Sequence, residues 1–267
     1  MNRLISISFA LSTTVALLLV RPAHGQEKTW FNKVEDKSID KAIVILPGFG
    51  DSRKGRKEQI KFFNNRGYDI YIPDYADKSS FDNCISNYTQ FHADNQLDQY
   101  KELHYLTYIL GSWVLNIHQA KYPSENIKSI VYDRSPLQER APKVASTKIP
   151  LITKLIKGKV VGEMADVPYL PLEKKNQQIG LIIESKATTL IRFFRKATLA
   201  LGEIQWQPTQ LNQDFDDHMY TRLDHDQMYV RFDVVGDNIL SFFENGTFSE
   251  TARRTAYDWD HFKKYKE

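Results

Sequence analysis

The sequence predicts an α/β fold in which a mostly parallel sheet carries helices on both faces. Two observations support this. Short apolar runs, AIVIL at 42–46 and QIGLIIE at 178–184 among them, have the length and β-branching of strands buried on both faces. Segments with helical apolar spacing alternate with these runs, and alternation of this kind belongs to parallel sheets built from crossover units.

Taken in order, Arg3 and the apolar stretch Leu4 to Val20 lead to Ala23-His24-Gly25, with small residues at positions −3 and −1 of a cleavage point before Gln26. This is the pattern of a secretory signal peptide over residues 1–25, with an uncleaved anchor as the alternative. The run is short of the roughly 20 residues a bilayer span needs. The expectation is therefore an exported protein, periplasmic or extracellular, with no stable transmembrane anchor after cleavage and a single domain over 26–267.

The strand Ala42–Leu46 runs into Pro47-Gly48-Phe49-Gly50. Ser52 caps a helix bearing Ile60, Phe62 and Phe63, and Gly67 ends it. Tyr68–Pro73 is the next strand, residues 79–102 are polar and partly helical, and Tyr105–Ile109 is a central strand. A helix over Ser112–Tyr122 and a strand over Ile127–Tyr132 follow. The rhythm breaks over 137–177. It resumes with the strand Gln178–Glu184 and a last strand at Gly202–Trp206. Phe232, Val235, Ile239, Leu240 and Phe243 give Val230–Glu244 the spacing of a closing amphipathic helix.

Composition narrows the function. The formal charge is +3, and 34 basic against 33 acidic residues remain once the first 25 are set aside, so no global charge favours nucleic acid. The run Arg53-Lys54-Gly55-Arg56-Lys57 reads as a solvated helix start rather than an anion site. Cys84 is the only cysteine, which excludes an intrachain disulfide, and nothing in the sequence ties it to a catalytic role.

Residues 103–136 read LHYLTYILGSWVLNIHQAKYPSENIKSIVYDRSP: an apolar strand, a sharp turn with Gly111, a helix ending near Tyr122-Pro123, and a second strand. This segment resembles the central strand–elbow–helix–strand unit of the α/β-hydrolase family, whose elbow reads G-x-S-x-G. Counting fourteen residues back from Pro123, as the family spacing implies, reaches Ile109, and the elbow then reads Thr107-Tyr108-Ile109-Leu110-Gly111. A hydrocarbon side chain cannot attack a carbonyl.

The resemblance implies roles for further residues. The loop Gly48-Phe49-Gly50 matches the oxyanion-hole loop, with Pro47 where a histidine is common; Phe49 and Leu110 would supply backbone donors. His225, ahead of the closing helix, matches the family histidine, and Glu184, at a strand end, matches its acid partner, with Asp214, Asp216 and Asp217 as competitors. Ser112, three residues past the elbow, is the nearby hydroxyl: a helix-start residue, or a displaced nucleophile. The family places inserts such as 137–177 as a cap over the site; a surface excursion with one packed helix is the other reading. His218 and His225, seven apart in a polar loop, have no recognised ligand spacing, so neither a metal nor a cofactor is expected. The sequence therefore points to a protein with a degenerate elbow that binds a small-molecule or lipid-like, partly apolar ligand. Two alternatives stand beside it: a carboxylic-ester or lipid hydrolase using Ser112 with His225, and a protein-interaction module.

Overall fold

The computed structural model describes residues 29–33, 40–148 and 159–264. Residues 1–25, where a signal peptide is expected, and the apolar stretch from Ile149 to Ile156 lie outside the described residues. Seven strands form one sheet: β1 (Trp30–Asn32), β2 (Lys41–Leu46), β3 (Asp69–Ile72), β4 (Glu102–Thr107), β5 (Ile127–Arg134), β6 (Gln178–Lys186) and β7 (Asp217–Asp224). Their order is β1-β3-β2-β4-β5-β6-β7. All neighbours are parallel except β1, which pairs antiparallel with β3. The fold class read from the sequence is the one observed.

The main helices are α1 (Arg53–Phe63), α2 (Phe81–Asp94) and α3 (Ile109–Lys121). Shorter ones are α4 (Ala141–Lys148), α5 (Val160–Asp166), α6 (Thr189–Phe193), α7 (Arg195–Leu199) and α8 (His225–Met228), and the chain closes on α9 (Phe232–Asn245). Strand alternation divides the core into two layers. Ala42, Val44 and Leu46 face the layer of α2 and α3, with Tyr88, Phe91, Val114 and Leu115. Ile43 and Ile45 face α1 and α9, with Phe63, Val235, Ile239 and Phe242. Ser52 accepts from the Gly55 amide and caps α1 as its sequence position implies. Arg56 in that basic run is buried and bonded to the Asp51 carboxylate, so it is a structural cation.

Several expectations change. The central strand ends at Thr107 rather than Ile109, and the helix after it begins at Ile109 rather than Ser112. Gly202–Trp206 is not a strand: Ile204 and Trp206 pack in a small cluster beside Phe262, and Trp206 stacks on His261 at 3.9 Å. The last strand is instead β7, whose charged residues had masked its period-2 pattern of Met219, Thr221 and Leu223. The insert behaves as a packed excursion and a wall at once. Val160, Val161 and Met164 of α5 join the core. Glu163 accepts from the Phe81 amide at the start of α2, and Trp113 Nε1 donates to the Val167 carbonyl.

The chain after α9 returns along β7. Arg254 clasps Asp217 at 2.8 Å, the Tyr220 amide donates to the Arg253 carbonyl, and the Ala187 amide donates to the His261 carbonyl.

Gly111 sets how closely α3 approaches the sheet. A Cβ there would stand 2.3 Å from the Leu46 carbonyl oxygen and 2.6 Å from its Cβ. Gly111→Ala is expected to destabilise the fold by roughly 1–3 kcal/mol or more, since backbone cannot yield as a flexible side chain can. The denaturant midpoint relative to wild type measures this, and an unchanged midpoint refutes the close-packing account.

Candidate functional site

The order of strands reverses between β2 and β4, and ligands of open α/β sheets bind outside the carboxyl ends of strands at such a switch point. The loop after β2 and the turn after β4 meet there. The Leu110 amide nitrogen lies 3.7 Å from where a Gly48 Cβ would stand. Tyr108 is the N-cap of α3, extended at φ −91° and ψ 169°, and Ile109 is the first helical residue. Tyr108 therefore occupies the junction between strand and helix, and Ile109, expected at the apex of the turn, opens the helix one residue later. Neither residue has positive φ, so the turn lacks the left-handed strain of a nucleophile elbow.

Aromatic rings fill the space over the glycine loop. Tyr229 stacks on Tyr108 with centroids 4.0 Å apart and planes 12° from parallel, and both rings are buried. The Gly48 amide donates to the Tyr229 hydroxyl at 2.9 Å, and a Cβ on Gly50 would lie 2.6 Å from the Tyr229 ring. The glycines at 48 and 50 therefore admit a phenol ring, and the Gly48 amide of this loop is engaged by it. Phe49 packs against the α2–α3 layer. Gln59 donates to the Tyr108 hydroxyl at 3.1 Å, which fixes the stack from below.

The structure brings Glu184 and His225 together. Asp224 caps α8 by accepting from the Gln227 amide, and this places His225 at the head of that turn. His225 Nδ1 lies 2.7 Å from Glu184 Oε1, so the tautomer that satisfies both groups carries its proton on Nδ1. Two of the three competitors for the acid role are engaged elsewhere, Asp216 with Lys174 and Asp217 with Arg254. Ser112 is not brought to His225. Its hydroxyl bonds Thr107 Oγ1 at 2.9 Å and the Tyr108 carbonyl at 3.2 Å, as a helix-start hydroxyl does.

Asp133, which the sequence reading passed over, stands at the end of β5 with Oδ2 4.0 Å from His225 Nδ1. The same argument that found Glu184, a carboxylate closing an apolar strand, applies to it. Burial pushes the Asp133 and Glu184 carboxyls well above their usual range, and Glu184 adds to the rise at Asp133. Burial lowers the pKa of His225, opposed chiefly by Asp133.

A cavity of about 370 Å³ opens beside this cluster, within the range of small-molecule sites. Ile109, Ser112 and Asp133 line it with Trp113, Tyr132 and Phe215. Tyr169 of the insert and the segment around Leu211 complete the wall.

The shifts set a pH dependence. The unfolded chain takes up a proton on His225 that the folded one resists, so stability falls as pH drops below about 6.5. Asp133 and Glu184 hold protons in the fold that the unfolded chain releases above about pH 4, so their contribution is lost as pH rises through the folded values. Asp133→Asn in chelator-containing buffer is expected to stabilise the protein by roughly 1–3 kcal/mol near neutral pH. The gain should shrink as pH falls through about 4 and vanish about a unit below it, where the carboxyl is protonated in both states. Melting temperatures of both proteins across that range measure it; a loss of stability at neutral pH refutes it.

No family model matches the sequence, and no curated protein does. Solved structures do. The mature form of the Bacillus licheniformis lipase BlEst2 superposes with a TM-score of 0.57 at 12% identity, covering 84% of this chain and 100% of the lipase. Alpha/beta hydrolase domain-containing protein 10 from mouse aligns at 12% identity over 81% of this chain and 92% of its own, with a TM-score of 0.49. A thermophilic esterase from Thermogutta terrifontis aligns at 12% identity over 82% and 93%, also with a TM-score of 0.49. With the parallel sheet, the β2–β4 switch point and the lipase superposition in hand, the fold of this chain is that of the α/β hydrolases.

Proposed function

We propose that this chain is an exported α/β-hydrolase-fold protein that binds a small, partly apolar ligand and performs no serine-type ester hydrolysis. The observation that carries the reading is Ile109: a hydrocarbon side chain occupies the strand-to-helix turn and lines the cavity. Nucleophilic catalysis needs an oxygen, sulfur or nitrogen nucleophile beside its base. The Ser112 hydroxyl is held by Thr107 and Tyr108. Tyr229 lies across the glycine loop and engages the Gly48 amide. Apolar and aromatic residues share the cavity wall with polar ones, Arg134 and Glu139 among them, which suits a ligand with an apolar part and a polar end, such as a medium-chain acid or its short ester.

A serine-directed fluorophosphonate is expected to leave the protein unlabelled. Stoichiometric labelling that Ser112→Ala abolishes would establish the hydrolase alternative instead. Medium-chain acids and short esters, screened by thermal shift in chelator-containing buffer, are expected to raise the melting temperature. Ile109→Trp, which fills the cavity, should remove that rise; a rise undiminished in the variant places binding elsewhere.

Export rests on the arrangement of Arg3, the apolar stretch to Val20 and Ala23-His24-Gly25. The exported form is expected to begin at or near Gln26. N-terminal sequencing decides this, and an intact Met1 in a membrane fraction refutes it.

A further inference from the structure

Asp133, Glu184 and His225 stand at the carboxyl ends of β5, β6 and β7, three neighbouring strands. One ligating atom from each lies within 4.8 Å of the others. All three residues are at least nine-tenths buried: Asp133 and Glu184 are 1% exposed and His225 5%. The hydrogen bonding is incomplete. Glu184 Oε1 meets His225 Nδ1, and Ser135 and Asp133 approach the Glu184 carboxyl, but neither oxygen of Asp133 nor the second oxygen of Glu184 completes a hydrogen bond. Among the described residues, the only basic group within ion-pair distance of either carboxylate is His225. Arg134, next to Asp133 in sequence, turns away to Glu139 at 3.0 Å and to the Gln205 carbonyl.

Buried carboxylates are ordinarily paired, protonated or bound to a metal. A proton shared between the two acids satisfies one oxygen of each and leaves the other Asp133 oxygen without a donor. A cation between the three side chains takes one oxygen from each acid and a nitrogen from the imidazole. Bonds of about 2.0–2.2 Å to such ligands place donor atoms roughly 3–3.5 Å apart around a four-coordinate ion. The separations of 2.7 Å from Nδ1 to Glu184 and 4.0 Å from Nδ1 to Asp133 bracket that value. One imidazole with two carboxylates suits a borderline divalent ion better than Mg²⁺ or Ca²⁺, which prefer all-oxygen shells, or Cu⁺, which prefers sulfur.

We propose that Asp133, Glu184 and His225 bind one divalent first-row transition-metal ion, represented by Zn²⁺, with the open coordination position facing the cavity that Asp133 lines. Three protein ligands and one open position are the arrangement of zinc sites that hold an exchangeable water or ligand. The assignment depends on these three side chains and not on the binding reading above.

The test uses the whole protein, stripped with chelator and titrated with Zn²⁺ against a chromophoric competitor. The expected result is one ion per chain with a Kd of about 1 µM or tighter, and a rise in melting temperature on loading. Asp133→Asn and Glu184→Gln should each weaken binding by about a hundredfold or more, because each removes a charged ligand. His218→Gln, outside the cluster, should leave stoichiometry and affinity unchanged. The effect of Asp133→Asn on stability should also reverse sign, from a gain in chelator to a deficit in saturating Zn²⁺. X-ray absorption of the Zn²⁺-loaded wild type should show one imidazole among oxygen donors, and this decides the matter if either variant fails to fold. Absence of a one-to-one site tighter than about 10 µM, a site that survives both acid substitutions, or a shell with two or more imidazoles overturns the proposal.

Discussion

The approach of α3 to the sheet at Gly111 is the constraint from which the rest of the site follows. With hydrogen in place of a methyl group, the helix start rests on the Leu46 carbonyl. That contact draws the turn after β4 against the loop after β2 and fixes where Ile109 and Gly48 stand. The register of β5 against β6 sets Asp133 beside Ile182, on the same face as Glu184 and two residues short of it, so both acids stand near the carboxyl end of the sheet.

Around that frame two environments lie side by side. On the α9 side the Tyr108–Tyr229 stack closes the glycine loop with flat, buried rings whose hydroxyls are bonded to Gln59 and Gly48. On the α3 side the cavity keeps its volume, lined by Ile109 and the aromatic walls. The division follows strand parity. Tyr108 continues the α9-facing alternation of Leu106, whereas Ile109 turns with the helix into the opposite layer. Asp133 and the Glu184–His225 pair sit between the two and are held by burial, which keeps His225 uncharged at neutral pH.

Much of this was legible in the sequence, for identifiable reasons. AIVIL and QIGLIIE are strands because no other packing uses β-branched residues on both faces. Gly111 marked the tight turn, and the family resemblance pointed to Glu184 at its strand end and to His225 ahead of the closing helix. The parts that escaped depend on long-range partners. Ile204 and Trp206 have a strand-like pattern but find Phe262 and His261 instead of a neighbouring ladder. Asp217 makes the start of β7 look solvated until Arg254, 37 residues on, is seen to neutralise it. Tyr229 gave no local sign of reaching Gly48, 181 residues away. Asp133 beside Arg134 carries no local sign of its burial; the two side chains diverge, one inward and one to Glu139.

The two margins of the sheet share a property that neither the turn nor the cavity reveals. A parallel sheet ends in rows of unpaired amides and carbonyls, and such rows invite a strand from another molecule. Here β1 lies antiparallel along β3 and takes one margin, and the chain after Phe248 lies along β7 through Arg253 and Arg254 on the other. Segments from opposite ends of the described chain thus act as selvages, finishing the fabric so that it does not fray into aggregates. The cap on the β7 side is held by side-chain clasps more than by a full ladder. Proteolytic loss of the tail would therefore expose that margin to intermolecular pairing while leaving the two-layer core intact.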